Sequence, residues 1–252
     1  DADLLGAQAS GIDAVAIGAD AVASGNSTTA VGGEAEAIGP GSTAIGWRSE
    51  SGERSTAIGH LATSTGVRSV AIGENADAQG DNATAIGNES IANGADALAI
   101  GDTAAATGTS STAVGGESIA NGTAATAYGW QSNATGERAH AVGHLATATG
   151  ERTLAVGEAA NATGVQASAI GNEASATGTD ATAIGTQSLA NGNSTTAVGG
   201  ESVADGLAAT AYGWQSNATG ERAHAMGHLA TATGDRTLAV GEAATATGEQ
   251  AS

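Results

Sequence analysis

The chain has no cysteine and no phenylalanine, and only one proline in 252 residues. Its aromatic side chains are three tryptophans and two tyrosines. All seven of its cations are arginines, set against 26 acidic residues for a formal net charge of −19. Each shortage excludes something. Without cysteine there is neither a disulfide framework nor thiolate chemistry, which fits a bacterial exterior as well as a cytoplasm. With Leu, Ile and Val together at about 13% and no Phe, a conventional globular core cannot be assembled. The cations form no basic run, so phosphate backbones find no neutralising surface and nucleic acid is not an expected partner. No apolar run reaches membrane length and no secretory leader pattern is present. Direct membrane contact is therefore not expected of this segment, and any export or anchoring would use other segments. Low hydrophobicity with high net charge is the composition of a disordered chain.

Periodicity overturns that reading. Glycine makes up 40 of the residues, and most of the glycines form a lattice. Gly18, Gly32, Gly46, Gly59, Gly73 and their successors to Gly241 recur every fourteen residues, with one thirteen-residue interval after Gly46. A second glycine follows seven residues after each, as at Gly25, Gly136 and Gly234, and after six at Gly52. A longer repeat is superposed. Residues 115–164 return at 199–248 with six changes in fifty positions, a shift of 84 residues. The chain thus reads as one domain over 1–252, with super-repeats at approximately 26–108, 109–192 and 193–252, the last incomplete.

Within each unit the side chains alternate with period two, the mark of strand. Counting from the first glycine as zero, position −2 is always alanine and position −4 is Ala, Ser or Thr. Positions +3 and +5 are Ala or Ser, with the shortened unit after Gly46 set apart. Each unit is therefore expected to be two short strands and two glycine corners, glycine serving both corners by accepting positive φ. Stacked units bury their small residues against each other, which is how so alanine-rich a chain obtains a core. The expected fold class is all-β, a parallel β-roll or solenoid with 14-residue coils.

Position −1 carries large apolar residues that point the other way. They are Ile17, Val31, Ile45, Ile58, Ile72, Ile86, Ile100, Val114, Tyr128, Val142, Val156, Ile170, Ile184, Val198, Tyr212, Met226 and Val240. A continuous apolar stripe on an outer wall marks an interface. The expectation is a homo-oligomer whose ladders meet on a symmetry axis, with two or three chains allowed.

Units such as "SVAIGENADAQGDNATAIG" (69–87) and "ATAIGNESIANGADALAIG" (83–101) resemble the head repeats of trimeric autotransporter adhesins, the YadA-like type. The resemblance covers essentially the whole chain. It implies a left-handed β-roll, a homotrimer with the −1 ladder at its centre, and a rigid rod. It also implies cell adhesion in virulence: attachment of a bacterium to a host extracellular-matrix protein, cells or surfaces, the partner's identity being open. The location implied is the bacterial cell surface, anchored in the outer membrane through segments outside this chain.

Special residues recur with the super-repeat. Trp47, Trp130 and Trp214 follow lattice glycines, and His60, His144 and His228 take the same place one coil later. They read either as a binding patch or as corner residues packed between chains. His140 and His224, at −3, read as a polar layer hydrogen-bonded across chains on the axis, the functional variant being an enclosed anion, a water or, less favoured, a metal, with no metal site assigned. Arginines stacked fourteen apart, such as Arg138 and Arg152, call for ion pairs between coils or chains. No cofactor is expected, and no enzyme activity: units of nearly equal length leave no loop to build a pocket with convergent groups. A spacer or phage-fibre-like roll without its own ligand is the alternative. Behind it stands an ice-binding solenoid, suggested by Thr-x-Thr pairs such as Thr147/Thr149 but interrupted by other coils.

Overall fold

The computed structural model describes residues 6–252, which fall into two compact units divided after Ala124. Both are built from the same coil, and the described residues contain strands and turns but no helix. A complete coil in the first unit shows the plan. Strand Thr29–Val31 ends at Gly32, a corner follows, strand Glu36–Ala37 runs back, and a second corner begins at Gly39. Each strand pairs in parallel with its counterpart one coil on, Thr29 with Thr43 and Glu36 with Glu50. In the second unit Leu154–Val156 pairs with Ser168–Ile170, and Asn161–Ala162 with Ser175–Ala176. The register step is the sequence period, so alike residues stack in columns. The chain is a parallel β-solenoid of about 17 coils spaced about fourteen residues apart.

The interior is as small as the alternation requires. Ala21, Ala23, Thr28 and Ala30 are fully buried, and so are Ala139, Ala141, Ala146 and Ala148 in the second unit. Each buried methyl contributes about 0.8 kcal/mol, and repetition makes the sum large. Several interior hydroxyls bond to the backbone three residues earlier, Thr28 donating to the Gly25 carbonyl at 2.7 Å and Thr153 to Gly150 at 2.8 Å, whereas those of Ser42, Ser51 and Ser111 have no hydrogen-bond partner.

Two expectations about the corners need correction. The shortened unit is not an exception inside: Ser49 and Ser51 occupy the +3 and +5 positions and are fully buried. What it lacks is the outward residue before the second glycine, and Gly52 follows strand Glu50–Ser51 directly. Its Ser55 hydroxyl reaches into the following coil, donating to the Ser64 carbonyl at 2.6 Å, and within that coil the Ser64 and Ser69 hydroxyls are bonded at 2.7 Å.

The glycines also divide by role. Gly73 has φ 140°, as expected of a corner glycine, but Gly80 has no positive φ. Gly80 is required because a Cβ there would strike the Gly94 carbonyl of the next coil. The left-handed residue at the second corner is not the lattice glycine, and among the described residues it is a glycine only at Gly41 (φ 70°). Both corners usually place one ordinary residue there, such as Asp20 (φ 56°), Leu61 (φ 58°) and Arg68 (φ 61°). Such a conformation costs on the order of 1 kcal/mol or more per residue. The stacking offsets it, because the same residue's N–H reaches the preceding coil: Glu34 donates to the Ala19 carbonyl at 2.8 Å and Ser27 to that of Ile12 at 2.7 Å. Sequence gave no warning here, since Asp, Leu and Arg share no signal for φ > 0.

Candidate interaction surface

The period-two alternation decides which residues reach the outside. In both units the −1 residues point away from the alanine interior. Ile17, Ile45, Ile58 and Ile72 of the first unit are exposed in the single chain, and Val31, Ile86, Ile100 and Val114 are partly covered. In the second unit Tyr128, Val142, Ile170, Ile184, Tyr212, Met226 and Val240 are exposed, with Val156 and Val198 partly covered. Parallel pairing puts these residues in line, Ile58 beside Ile72 and Ile72 beside Ile86. In the second unit Tyr128 lies beside Val142 and Tyr212 beside Met226. Each unit therefore carries an unbroken apolar column along one wall.

His140 and His224 lie on the same wall, both exposed, each with Thr on one side and Leu on the other: Thr126 and Leu154, Thr210 and Leu238. Among the described residues of the single chain, no group of His, Asp and Glu is placed to hold a metal ion.

The Trp and His corners come together in a way the sequence only hinted at. Trp47 stacks on His60 at 4.9 Å between ring centres and 14° between planes. Trp130 and His144 do so at 5.0 Å and 23°, and Trp214 and His228 at 5.0 Å and 18°. Each histidine's Nδ1 then faces a carboxylate one coil further on: Glu74 at 3.3 Å, Glu158 at 3.5 Å and Glu242 at 3.6 Å. Every super-repeat thus carries an indole–imidazole–carboxylate column. Sequence showed the fourteen-residue step between these residues; contact between the rings depended on where the corner aims them.

The stacked arginines find nearer partners than expected. Arg54, Arg138, Arg152 and Arg222 each face the glutamate immediately before them, at 4.0, 3.9, 3.3 and 3.8 Å. These are exposed pairs within one corner, worth little in water. Arg48 and Arg68 bridge coils: Arg68 donates to the Asn82 side-chain oxygen at 3.3 Å, and the Nε of Arg48 donates to Glu34 at 2.6 Å while its guanidinium lies 4.7 Å above the Trp47 ring.

The edge between the first corner and the second strand is acidic in the first unit, where Glu36, Glu50 and Asp77 occupy it. In the first unit it forms an open cavity of about 370 Å³ lined by Leu61, Asn75, Asp77, Glu89, Ile91 and Thr103 among others. Burial pushes the Asp77 carboxyl above its ordinary value of 3.8, opposed by hydrogen bonds from Gln79 and Asn93. A neighbouring hollow of about 360 Å³ is lined by Glu34, Glu36, Arg48 and Glu50.

A family model for the YadA head domain repeat matches in overlapping pieces: 9–35, 23–49, 51–76, 78–104, 106–132, 134–157, 148–174 and onward to 232–252. The chain belongs to the YadA head domain repeat family. The repeats found by period alone are thus repeats of an adhesin-type head. Among solved structures, the collagen-binding domain of the Yersinia adhesin YadA is similar at 24% identity, over 72% of this chain and 71% of that one, with a TM-score of 0.28. Among curated proteins no relative matches.

Proposed function

We propose that this YadA-type head is a segment of a bacterial surface adhesin that works as a homotrimer, displaying repeated outer walls to an extracellular-matrix protein or another surface. The observation that carries the reading is the −1 column. A monomer would leave it wet, whereas fully burying one such side chain is worth about 1.5–3 kcal/mol. Three chains meeting through equivalent columns would cover it and leave the polar walls outward. Identical sites would then recur around and along the assembly, so weak contacts add through effective concentration. Anchoring in the outer membrane is assigned to other segments. The head would do no chemistry of its own.

Sedimentation of the purified chain tests the assembly. The expected result is a trimer at micromolar concentration, shifted toward single chains by Ile58→Asp with Ile72→Asp. A folded, stable single-chain species of the unaltered protein at that concentration would overturn it. Retention on a panel of matrix proteins, collagen included, and on abiotic surfaces tests adhesion. No retention on any of them would demote the segment to a spacer.

A further inference from the structure

The Trp47 corner shows what fits against an indole of this fold. The coil before it has Gly33 at the corresponding position, where a Cβ would lie 3.2 Å from the ring at Cδ1. The missing side chain leaves room beside the indole, whose other neighbour is His60. Arg48 leans over this ring, its guanidinium 4.7 Å from the ring centre, and its Nε reaches Glu34 of the preceding coil at 2.6 Å. One planar cation therefore makes two contacts at once, a stacking contact to tryptophan and a charge-assisted bond to glutamate. Arginine suits this pair because its guanidinium is flat, weakly hydrated and always charged.

The Trp214 corner keeps every part of that arrangement except the cation. Gly200 replaces Gly33, and a Cβ there would lie 3.1 Å from Trp214 Cδ1. His228 stacks beside the indole as His60 does. Glu201 stands where Glu34 stands, and it is exposed. Arg48 is replaced by Gln215, whose amide donates to Glu201 at 2.7 Å. A neutral amide holds the carboxylate less strongly than a guanidinium would. Trp214 is itself 46% exposed.

We propose that the Trp214–Glu201 corner is a receptor for an arginine side chain of a basic partner protein, which would take the place that Arg48 fills within the chain at Trp47. The inference rests on the adhesin reading and names the chemistry of its partner. The formal net charge of −19 favours such a partner at long range and disfavours anionic glycans and nucleic acids. On this view the first corner is closed by the chain's own arginine and the later one is open to a partner's.

Tryptophan fluorescence provides the test. A Trp130→Leu background leaves Trp47 and Trp214 as the reporting indoles. The probes are an arginine-rich peptide, a lysine-rich peptide of equal charge, and heparin. The expected result is a saturable change with the arginine peptide, binding tighter than the lysine peptide by about fivefold or more, and none with heparin. Gln215→Arg should abolish the change by closing the corner as Arg48 closes its own, and Glu201→Gln should weaken binding. An unchanged arginine-peptide titration in Gln215→Arg, with the variant's thermal midpoint intact, would overturn the proposal. So would equal binding of the two peptides. If Gln215→Arg abolishes the peptide signal but retention on the matrix panel is unchanged, the corner binds arginine without serving adhesion, and the proposed partner is wrong while the adhesin reading stands. If retention on the panel is absent from the start, it is the adhesin reading that fails.

Discussion

The same edge of the coil carries two chemistries. In the first unit, the positions beside the first corner hold Glu36, Glu50 and Asp77, and a cavity opens next to Asp77. In the second unit the places 84 residues after Glu50 and Asp77, allowing for the short coil, hold Asn133 and Asn161. The backbone registers the exchange only at Asp77, which makes single parallel bridges to Thr63 and Ile91 where Asn161 belongs to strand Asn161–Ala162. Strand Glu36–Ala37 pairs with Glu50–Ser51 just as Asn133–Ala134 pairs with Thr147–Ala148. What the pair teaches is a division of labour. Inward residues and glycines set the coil, and outward residues are free to set charge, cavity and partner.

The largest expected effect comes from breaking the part the units share. Ala71 and Ala155 are both fully buried at position −2. Leucine at either place must fit between backbones on both sides, so Ala71→Leu and Ala155→Leu should each cost about 3 kcal/mol or more. Thermal or denaturant unfolding should show similar losses for the two. A mild cost in only one unit would mean that the interiors are not equivalent.

Two glycines sharpen the distinction between frame and surface. Gly80→Ala drives a methyl group into the carbonyl of the next coil, with no flexible group to yield. Gly200→Ala meets only the edge of the Trp214 ring at 3.1 Å, and that ring can swing. Gly80→Ala should therefore lower the thermal midpoint by several degrees, and Gly200→Ala by about 2 °C at most. Equal losses would remove the distinction between glycines that hold the frame and those that leave room outside it.

The smallest effect comes from giving the first unit the second unit's chemistry. Asp77 has a folded-state pKa raised by burial, so its ionised form disfavours the fold. Its contribution to stability therefore improves as pH falls through the raised value, and the improvement is complete below 3.8, the unfolded reference. Asp77→Asn should be more stable than the parent at neutral pH, by under about 2 °C given its partial exposure. The advantage should vanish toward pH 3. Parallel pH profiles for the two proteins would show that the cavity does not perturb Asp77.

Much of this was legible from residue order. The fourteen-residue glycine period, the unvarying alanine at −2 and the large residue at −1 fix the strands, the corners and the inward and outward faces, because alternation in a strand leaves each side chain only two directions. The corners were read less well. The φ > 0 positions hold Asp20, Leu61 and Arg68 alike, and the conformation is imposed by a hydrogen bond to the preceding coil, which no local pattern reports. Gly80 was found for the wrong reason, since contact with Gly94 rather than torsion requires it.

Residue order by itself determined the coil, its period and what fills it, since a repeat that must stack on itself admits small residues only on the inside. Tertiary structure alone decided which outward groups meet. Trp47 comes to lie against both His60 and Arg48, and Arg138 turns to its neighbour Glu137. Long side chains leaving a corner can turn to the coil before, the coil after or their own, and only the packed geometry around the corner selects among them.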